Sequence, residues 1–202
     1  MVLFQKIKIK LIFIIRLNGK KKACVFISGS GTNLKALIKS SREYNFPVNI
    51  DFIISNSKKA KGLRFAKLYK IPFCILDINK IINLETILDK LNKKNITLIC
   101  LAGYMKILNK KFINRFNKKI INIHPSLLPK YKGLNTFKRV LENKEKLTGC
   151  TVHYVNQKLD SGKIILKKKI FIEHNDSEKT IKGKVQAKER RAYSESIFNI
   201  FR

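Results

Sequence analysis

The stretch Ala23-Cys24-Val25-Phe26-Ile27-Ser28-Gly29-Ser30-Gly31-Thr32-Asn33-Leu34 predicts a strand, a tight turn and the start of a helix, in that order. Residues 23–28 form a short, continuous apolar run, which is typical of a strand buried on both faces. After the glycines, Leu34, Leu37 and Ile38 recur at helical spacing. This unit indicates an α/β protein with a buried parallel sheet.

The glycines between this strand and this helix suggest an anion site. A helix that begins directly after a strand exposes free backbone N–H groups at its N-terminus, where phosphate groups often bind. The glycine spacing matches neither GxGxxG nor GxxxxGK(S/T), so neither a dinucleotide nor a nucleoside triphosphate is indicated. A plain tight turn accounts for the same glycines, because glycine is common where a strand turns into a helix.

The alternation of strands and helices continues along the chain. The predicted strands are 49–55, 73–76, 97–101 and 120–124, and the predicted helices are 62–69, 82–91 and 110–116. In the C-terminal half, residues 151–155 and 164–172 predict an antiparallel hairpin, and a last helix starts at Ser177 and runs to Ile200. The predicted fold class is α/β, with a single doubly wound, mostly parallel twisted sheet and an antiparallel hairpin in the C-terminal half.

The segment Ile121-Asn122-Ile123-His124-Pro125 places two polar side chains on one face of a predicted strand. Since strand side chains alternate between faces, Asn122 and His124 lie together and the isoleucines point the other way. Pro125 cannot donate a ladder hydrogen bond, so the pair falls at the carboxyl end of the strand, where α/β sheets place their ligands. A His and an Asn that satisfy each other in the core are the alternative, and the spacing alone leaves both open.

Two loop segments supply further candidates. The run Gly103-Tyr104-Met105-Lys106-Ile107-Leu108 follows the predicted strand 97–101 and so belongs to the same rim of the sheet. It can equally pack Met105 and Leu108 into the core. Asp160 lies in the turn Leu159-Asp160-Ser161-Gly162, and an aspartate before a glycine is usually a turn residue on local evidence.

The composition is strongly basic, since the 202 residues carry a formal net charge of +31. Such a charge attracts polyanions, but the lysines are scattered through every segment, and we expect a solvated basic surface without a specific nucleic-acid partner. The apolar run 11–15 near the N-terminus is too short for a membrane span. We expect residues 1–22 to form a disordered basic extension, residues 23–202 to form one domain, and the protein not to associate with membranes.

The cysteines and histidines offer no metal-ligand or redox motif. The cysteines stand in apolar contexts without close CxxC pairs, and the histidines are too far apart in the sequence for a metal-ligand motif. The residues concerned are Cys24, Cys74, Cys100, Cys150, His124, His153 and His174. We therefore expect reduced thiols in a reducing compartment and no bound metal.

Four segments together resemble one known family. They are Ile27-Ser28-Gly29-Ser30-Gly31-Thr32-Asn33-Leu34, Leu101-Ala102-Gly103-Tyr104-Met105-Lys106-Ile107-Leu108, Asn122-Ile123-His124-Pro125-Ser126-Leu127-Leu128-Pro129 and Leu159-Asp160-Ser161-Gly162. The chain resembles the folate-dependent phosphoribosylglycinamide formyltransferases of purine synthesis from about Ala23 to about Phe201. The segment around Asn122 and His124 is shared by the wider formyltransferase superfamily, whereas the glycine turn indicates which acceptor is used.

The resemblance implies a Rossmann-like formyltransferase fold and a reaction. The formyl group of 10-formyltetrahydrofolate would pass to the amine of glycinamide ribonucleotide, in the cytoplasm and without a metal, in a monomer or homodimer. Attack of an amine on a formyl carbon creates an oxyanion, which the Asn122 amide and a protonated His124 can stabilise. Asp160 can accept the proton of the amine and favour the charged imidazole.

The resemblance also assigns residues to the two substrates. The implied catalytic residues are Asn122, His124 and Asp160. The implied ribonucleotide-binding residues are Gly31, Thr32, Asn33, Gln186 and Glu189. The implied folate-binding residues are Met105, Lys106, Ile107, Leu108, Asn122, Val155 and Asn156. The apolar run Ile81-Ile82-Asn83-Leu84 departs from the family, which often has a basic residue there that faces the folate.

Three other functions compete with this reading. A formyltetrahydrofolate hydrolase would use the same Asn, His and Asp to direct water at the formyl group, but we expect no room for that family's N-terminal regulatory domain. A methionyl-tRNA formyltransferase would explain the positive charge, but it needs a further C-terminal domain. A basic RNA-binding protein on an α/β scaffold has no need of all four motifs.

Overall fold

Strand β1 (Lys21–Ile27) lies in the middle of a seven-stranded sheet in the computed structural model, which describes residues 19–76 and 81–201. The other strands are β2 (Val48–Ser55), β3 (Phe73–Ile75), β4 (Ile96–Leu101), β5 (Lys119–His124), β6 (Leu147–Tyr154) and β7 (Ile164–Phe171). The helices are α1 (Thr32–Ser41), α2 (Leu63–Leu68), α3 (Ile81–Lys93), α4 (Lys110–Phe116), α5 (Thr136–Glu142) and α6 (Glu178–Phe201).

The strand order is β3-β2-β1-β4-β5-β6-β7. The strands from β3 to β5 in this order pair in parallel, whereas β6 pairs antiparallel with both β5 and β7. The predicted doubly wound, mostly parallel sheet with an antiparallel hairpin in the C-terminal half is therefore confirmed.

Alternation along β1 builds a core on each face of the sheet. Val25 and Ile27 pack in a cluster with side chains of α1 and α6, whereas Cys24 and Phe26 pack in a second cluster with side chains of α3 and α4. All four side chains are fully buried. Because both faces are covered from Ala23 onward, this part of β1 has no exposed face for a polar side chain, and this explains the continuous apolar run in the sequence.

The glycine turn after β1 packs directly against the start of α2. Gly31 has a φ of 74°, and a Cβ atom on it would overlap the Cα atom of Gly62. The N–H group of Gly62 donates to the Gly29 carbonyl oxygen at 2.9 Å. Glycine is therefore needed at position 31 both for its backbone conformation and for the close approach of the two segments.

Two elements differ from the sequence-based prediction. Strand β6 begins at Leu147, four residues before the predicted start at Thr151, and the helix α5 was not predicted. Gly149 lies inside the missed part of β6, and a glycine in a strand weakens the strand signal. A Cβ atom at Gly149 would overlap the carbonyl oxygen of Lys168 on β7, so glycine is needed where these two strands meet.

The N-terminal boundary is also earlier than predicted. Strand β1 begins at Lys21, where it pairs with Val48, and Lys20 donates to the Ser41 carbonyl oxygen, so the described structure includes residues 19–22, four residues that we assigned to the extension. The rest of the expected disordered extension falls on residues 1–18, which lie outside the described part of the chain, and it stays a prediction. None of the helices in residues 19–76 and 81–201 is long and apolar enough to cross a membrane.

Two glycine substitutions test this account of the β6–β7 pair. Gly149→Ala should lower the free energy of unfolding by about 2–3 kcal/mol, because the added methyl group forces the two strands apart. Gly183→Ala is the matched control, since that glycine lies in α6 with open space around its Cα atom, and it should stabilise the protein by about 0.5–1 kcal/mol. Urea unfolding measures both; equal midpoints for Gly149→Ala and the parent protein would contradict the account.

Candidate active site

A buried polar cluster lies where β5 and β6 pair. Asn122 on β5 stands directly opposite His153 on β6, and Asn122 Nδ2 lies 3.3 Å from His153 Nε2. The turn that follows β6 folds back over this pair and brings Asp160 to it, with Asp160 Oδ1 at 3.4 Å from Asn122 Nδ2. The predicted trio Asn122, His124 and Asp160 is thus brought together, with His153 as a fourth member.

The carboxylate of Asp160 has partners on both oxygens. Oδ1 faces Asn122 Nδ2 and, at 3.6 Å, His153 Nε2. Oδ2 accepts from the Gly133 N–H at 2.9 Å and lies 3.3 Å from His124 Nδ1. The side chain is only 7% exposed. A carboxylate that is this buried has to be held by donors, and here Asn122 Nδ2 on β5 and the Gly133 N–H donate to it. His153 Nδ1 lies 2.8 Å from the Tyr154 carbonyl oxygen, so His153 Nε2 can donate to Asp160 only when that ring is doubly protonated.

The backbone at Asp160 explains how the turn delivers the carboxylate. Asp160 has a φ of 44°, in the left-handed region that aspartate and asparagine tolerate better than most residues. Two residues later, a Cβ atom at Gly162 would overlap the Tyr154 carbonyl oxygen. The turn therefore packs tightly against the end of β6, and Asp160 is both a turn residue and a member of the cluster.

His124 is held through both ring nitrogens. Nε2 lies 2.8 Å from the Tyr131 carbonyl oxygen, which can only accept, so Nε2 carries a hydrogen. Nδ1 faces Asp160 Oδ2 at 3.3 Å. Nδ1 is therefore the atom at which this imidazole gains or loses a proton, and the carboxylate of Asp160 is beside it.

Burial and hydrogen bonding act in opposite directions on these two groups. Burial lowers the pKa of His124, and it outweighs the Tyr131 carbonyl and the Asp160 carboxylate, which both raise it. Burial alone would raise the pKa of Asp160, but hydrogen bonding with His153 and Gly133 and the nearby His124 bring it below its ordinary value. The sequence predicted that a nearby carboxylate favours the charged imidazole, and Asp160 does raise the pKa of His124. Burial lowers that pKa by more, so the net change favours the neutral imidazole.

The glycine turn carries a second polar site. Helix α1 starts at Thr32 with Gly31 as its N-cap, which offers no side chain to the free N–H groups of the first turn. Asn33 is buried in that turn, and its Nδ2 donates to Glu189 Oε2 on α6 at 2.9 Å. The amide oxygen of the same side chain, Asn33 Oδ1, is also buried, and no donor in the described part of the chain reaches it.

Glu189 is buried beside this turn. Burial raises the pKa of Glu189, although the hydrogen bond from Asn33 opposes the rise. The structure thus brings four predicted residues close together, namely Gly31, Thr32, Asn33 and Glu189. The half-buried Gln186 lies on the same helix three residues before Glu189.

The predicted folate-binding segments border the second core cluster. The side chains of Met105 and Ile107 are 66% and 64% exposed, while Leu108 is buried in the cluster of the α3 and α4 face. Val155 packs against the same cluster from the end of β6, and Asn156 is exposed beside it. Lys106 is also exposed. Large exposed apolar side chains next to a polar cluster are typical of a surface that binds a ligand.

The end of β1 connects these regions. The Met105 N–H donates to Ser28 Oγ at 2.8 Å, and the Ser28 N–H donates to the Gly103 carbonyl oxygen at 3.2 Å. In the β4–β5 ladder, Leu101 is in register with Asn122. The glycine turn, the 103–108 segment and the polar cluster are therefore carried by three neighbouring strands at one edge of the sheet, as expected for an α/β site.

Comparison with known proteins identifies the family. The profile of the formyl transferase family matches residues 21–197, and so covers all four motifs. The chain belongs to this formyl transferase family. A phosphoribosylglycinamide formyltransferase from Haemophilus influenzae is 45% identical over 177 residues, which are 86% of this chain and 84% of that protein. The trifunctional purine biosynthetic protein adenosine-3 from Homo sapiens is 38% identical over 184 residues, 88% of this chain but only 18% of that protein.

Solved structures agree with this assignment. The phosphoribosylglycinamide formyltransferase from Anaplasma phagocytophilum matches this formyl transferase with a TM-score of 0.83 at 38% sequence identity, over 87% of this chain and 84% of that one. The enzyme from Bacillus halodurans matches with a TM-score of 0.83 at 34% identity, over 89% and 95% of the two chains. The Rossmann-like formyltransferase fold that the four motifs implied is therefore confirmed.

Sequence reasoning missed two members of the site. His153 was considered only as a metal ligand, and the carbonyl of Tyr131 was not considered at all. The alternation of Thr151 and His153 on one face could have placed the histidine beside Asn122, but only with the register of the β5–β6 pair. In residues 19–76 and 81–201, no group of three or more His, Cys, Asp or Glu side chains is placed to hold a metal ion. Whether the formyl transferase binds no metal stays a prediction.

The lowered pKa of His124 predicts how stability depends on pH. As the pH falls below about 6.5, the unfolded chain binds a proton at this histidine before the folded chain does, so the free energy of unfolding decreases by at most about 1.4 kcal/mol per pH unit. Urea unfolding between pH 7.5 and 5 should show a shallower slope for His124→Gln. The control is His174→Gln, which changes an exposed histidine; an unchanged slope in His124→Gln would contradict the assignment.

Proposed function

We propose that this formyl transferase moves the formyl group of 10-formyltetrahydrofolate to the amine of 5-phosphoribosylglycinamide. The products are formylglycinamide ribonucleotide and tetrahydrofolate, in de novo purine biosynthesis. The similarity to the Haemophilus influenzae phosphoribosylglycinamide formyltransferase over 84% of that protein supports this reaction. The observation in the structure that carries the proposal is the buried Asp160 carboxylate between Asn122 and His124.

Asn122 and His124 are proposed to stabilise the oxyanion. When the amine attacks the formyl carbon, negative charge develops on the formyl oxygen, and donors fixed in a water-poor site stabilise it more than free water does. Asn122 Nδ2 makes only long contacts of 3.3 Å and 3.4 Å with its neighbours, so it can turn its hydrogens toward an oxyanion at little cost. His124 has Tyr131 at Nε2 and Asp160 at Nδ1, so its contribution would be the positive charge of the doubly protonated ring rather than a direct hydrogen bond.

Asp160 is proposed to handle the proton that the amine loses. The net reaction moves one proton from the acceptor amine to N10 of the folate, because the nitrogen that gains the formyl group loses a hydrogen and N10 loses the formyl group. Asp160 is ionised at neutral pH, so it can accept this proton directly or through one water, and its lowered pKa means that it passes the proton on rather than keeps it. His124 Nδ1, 3.3 Å away, can take part of that positive charge during the transfer.

The ribonucleotide is proposed to bind at the glycine turn. Its phosphate would accept from the first-turn N–H groups of α1 near Gly31, Thr32 and Asn33. Glu189 would repel a phosphate, so its carboxylate suits the donors of the glycinamide end, together with Gln186. The buried Asn33 Oδ1 is a further acceptor for such a donor, and a ligand hydrogen there would satisfy an otherwise unpartnered atom.

The folate is proposed to bind on the other side of Asn122. The pterin ring would lie along the backbone of Met105, Lys106, Ile107 and Leu108, opposite Val155 and Asn156. A flat heterocycle with amide edges is well recognised by backbone donors and acceptors in an apolar cleft. We also expect a weaker folate contact where the chain departs from the family pattern at Ile81 and Ile82, whose side chains lie outside the described part.

The setting of this reaction follows the same proposal. Both substrates are small molecules, and we infer an enzyme of the cytoplasm that acts as a monomer or homodimer, without a specific nucleic-acid partner, a membrane contact or a metal. The basic surface fits anionic substrates, because a positive field raises the rate at which phosphates and carboxylates reach the site.

The reaction is tested by incubating the protein with 10-formyltetrahydrofolate, with and without glycinamide ribonucleotide, and following the release of tetrahydrofolate. We expect release only when the ribonucleotide is present, with formation of the formylated ribonucleotide in equal amount. Equal release without it would identify a hydrolase that uses the same Asn, His and Asp. No release in either case would overturn the proposed chemistry.

Asp160→Asn tests the proton acceptor. The amide keeps the shape of the side chain and tolerates the left-handed backbone at this position, but it cannot accept a proton, so kcat should fall by roughly a hundredfold or more. The control is Asp89→Asn, which removes the same charge from an exposed position on α3 and should leave kcat within about twofold. Steady-state kinetics measure both, and near-parent rates for Asp160→Asn would remove Asp160 from the mechanism.

A further inference from the structure

The hydroxyl of Tyr193 on α6 lies between the ends of β4 and β5. The side chain is 0% exposed, and its hydroxyl is 2.9 Å from the Leu101 carbonyl oxygen and 3.2 Å from the Ile121 carbonyl oxygen. One O–H group is thus shared between two acceptors that belong to different strands. Helix α6 lies on one face of the sheet, so the tyrosine reaches these two backbone groups from within the core.

Both carbonyl groups belong to peptide units that lead into the proposed site. The Leu101 carbonyl is the last of β4, and the loop that carries Met105 follows it. The Ile121 carbonyl is in the peptide bond to Asn122, and Leu101 and Asn122 are the last pair in register between these strands. The hydroxyl therefore donates to backbone groups at the point where the ladder between β4 and β5 ends and the two site segments begin.

The same helix face also carries the acceptor side of the site. Glu189 precedes Tyr193 by four residues, so the two side chains lie on one face of α6, and Glu189 is hydrogen-bonded to Asn33. One rigid helix thus contacts the glycine turn through Glu189 and the Asn122 strand through Tyr193. The two contacts are separate, so one of them can be removed while the other is kept.

The surroundings keep the hydroxyl protonated. Burial raises the pKa of Tyr193 well above its ordinary value, and the thiol of Cys100 and the carboxylate of Glu189 add to the rise. Burial also raises the pKa of the Cys100 thiol, so this neighbour stays uncharged. Tyr193 therefore remains a protonated hydrogen-bond donor at neutral pH.

We propose that Tyr193 is a positioning residue, whose buried hydroxyl fixes Asn122 and the loop after β4 relative to Glu189 by bridging the Leu101 and Ile121 carbonyl groups. It does not touch the substrates, and it acts through the backbone of Asn122. This inference rests on the proposed function in so far as Asn122 stabilises the oxyanion, but the placement of Asn122 is a property of the free protein. Oxyanion donors that move by about an ångström lose much of their effect.

Tyr193→Phe is the test, because it removes the hydroxyl and keeps the ring in the core. We expect kcat to fall about tenfold and the KM for the ribonucleotide to stay within about twofold, since Asn122 acts on the transition state and Glu189 is not released. Ser196→Ala is the matched control. It removes another fully buried hydroxyl from α6, one that donates to the Ala192 carbonyl oxygen, and kcat should stay within about twofold.

A double mutant separates positioning from a general loss of structure. In an Asn122→Ala background, Tyr193→Phe should change kcat by less than about twofold, because the group that it positions is gone. A further tenfold loss in that background, or an unchanged kcat in the single mutant, would overturn the proposal.

A measurement without substrate keeps this inference separate from the proposed function. In ¹H–¹⁵N spectra of the free protein, Tyr193→Phe should shift the side-chain amide of Asn122 and speed hydrogen exchange at residues 102–105, whereas Ser196→Ala should change neither. Unchanged signals at these positions would overturn the positioning role even if the enzyme has another activity. Shifted signals in a protein that releases no tetrahydrofolate would support the positioning role and reject the proposed reaction.

Discussion

The carboxylate of Asp160 is the group on which the polar site depends. It is nearly buried in a protein of large positive charge. Burial raises its pKa, but His153, the Gly133 N–H and His124 lower it more, so the pKa lies below its ordinary value. Removing any of these partners leaves a buried charge less compensated, which costs far more than a surface contact contributes. The same environment that stabilises the negative charge gives the carboxylate a histidine beside it with which a proton can be shared.

The sheet brings this carboxylate to a place where ligands can meet it. The ends of β1, β4 and β5 carry the glycine turn, the exposed Met105 segment and Asn122. Two hydrogen bonds hold the first two of these ends together: the Ser28 N–H donates to the Gly103 carbonyl oxygen, and the Met105 N–H donates to Ser28 Oγ. The antiparallel strand β6 then supplies His153 opposite Asn122, and the turn after it supplies Asp160. Residues that are far apart in the sequence converge because parallel strands share one edge, and because a single reversed strand folds back beside them.

Much of the fold could be predicted from the sequence because its signals are local. The buried run at residues 23–28, the glycine turn and the helical spacing after it describe one strand–turn–helix unit, and the same pattern repeats to His124. The start of β6 could not be predicted, because Gly149 interrupts the strand signal for a reason that lies in β7, the overlap with the Lys168 carbonyl oxygen. Strand propensity reports on packing against neighbours, and these neighbours are not visible in the sequence.

The sequence predicted which motif residues form the site, but it did not predict the other groups that contact them. The two-residue period of a strand placed Asn122 and His124 on one face. Asp160, by contrast, was predicted to be more than a turn residue only because of the resemblance to a family. His153 and the Tyr131 carbonyl depend on register and loop path, which composition and spacing do not fix. The protonation of His124 was inferred from a nearby carboxylate alone, and burial, which no sequence reveals directly, is the larger effect.

The hydrogen bond between Asn33 and Glu189 joins the first and last described helices, across 156 positions of the chain. During synthesis on the ribosome, the glycine turn is made early, but its buried amide has no carboxylate until the final helix has emerged. The buried pair of Asn33 and Glu189 therefore cannot form before α6 has been made, even after the first five strands have paired. Closing so long a loop is entropically costly and slow, so we expect this contact to form late in folding.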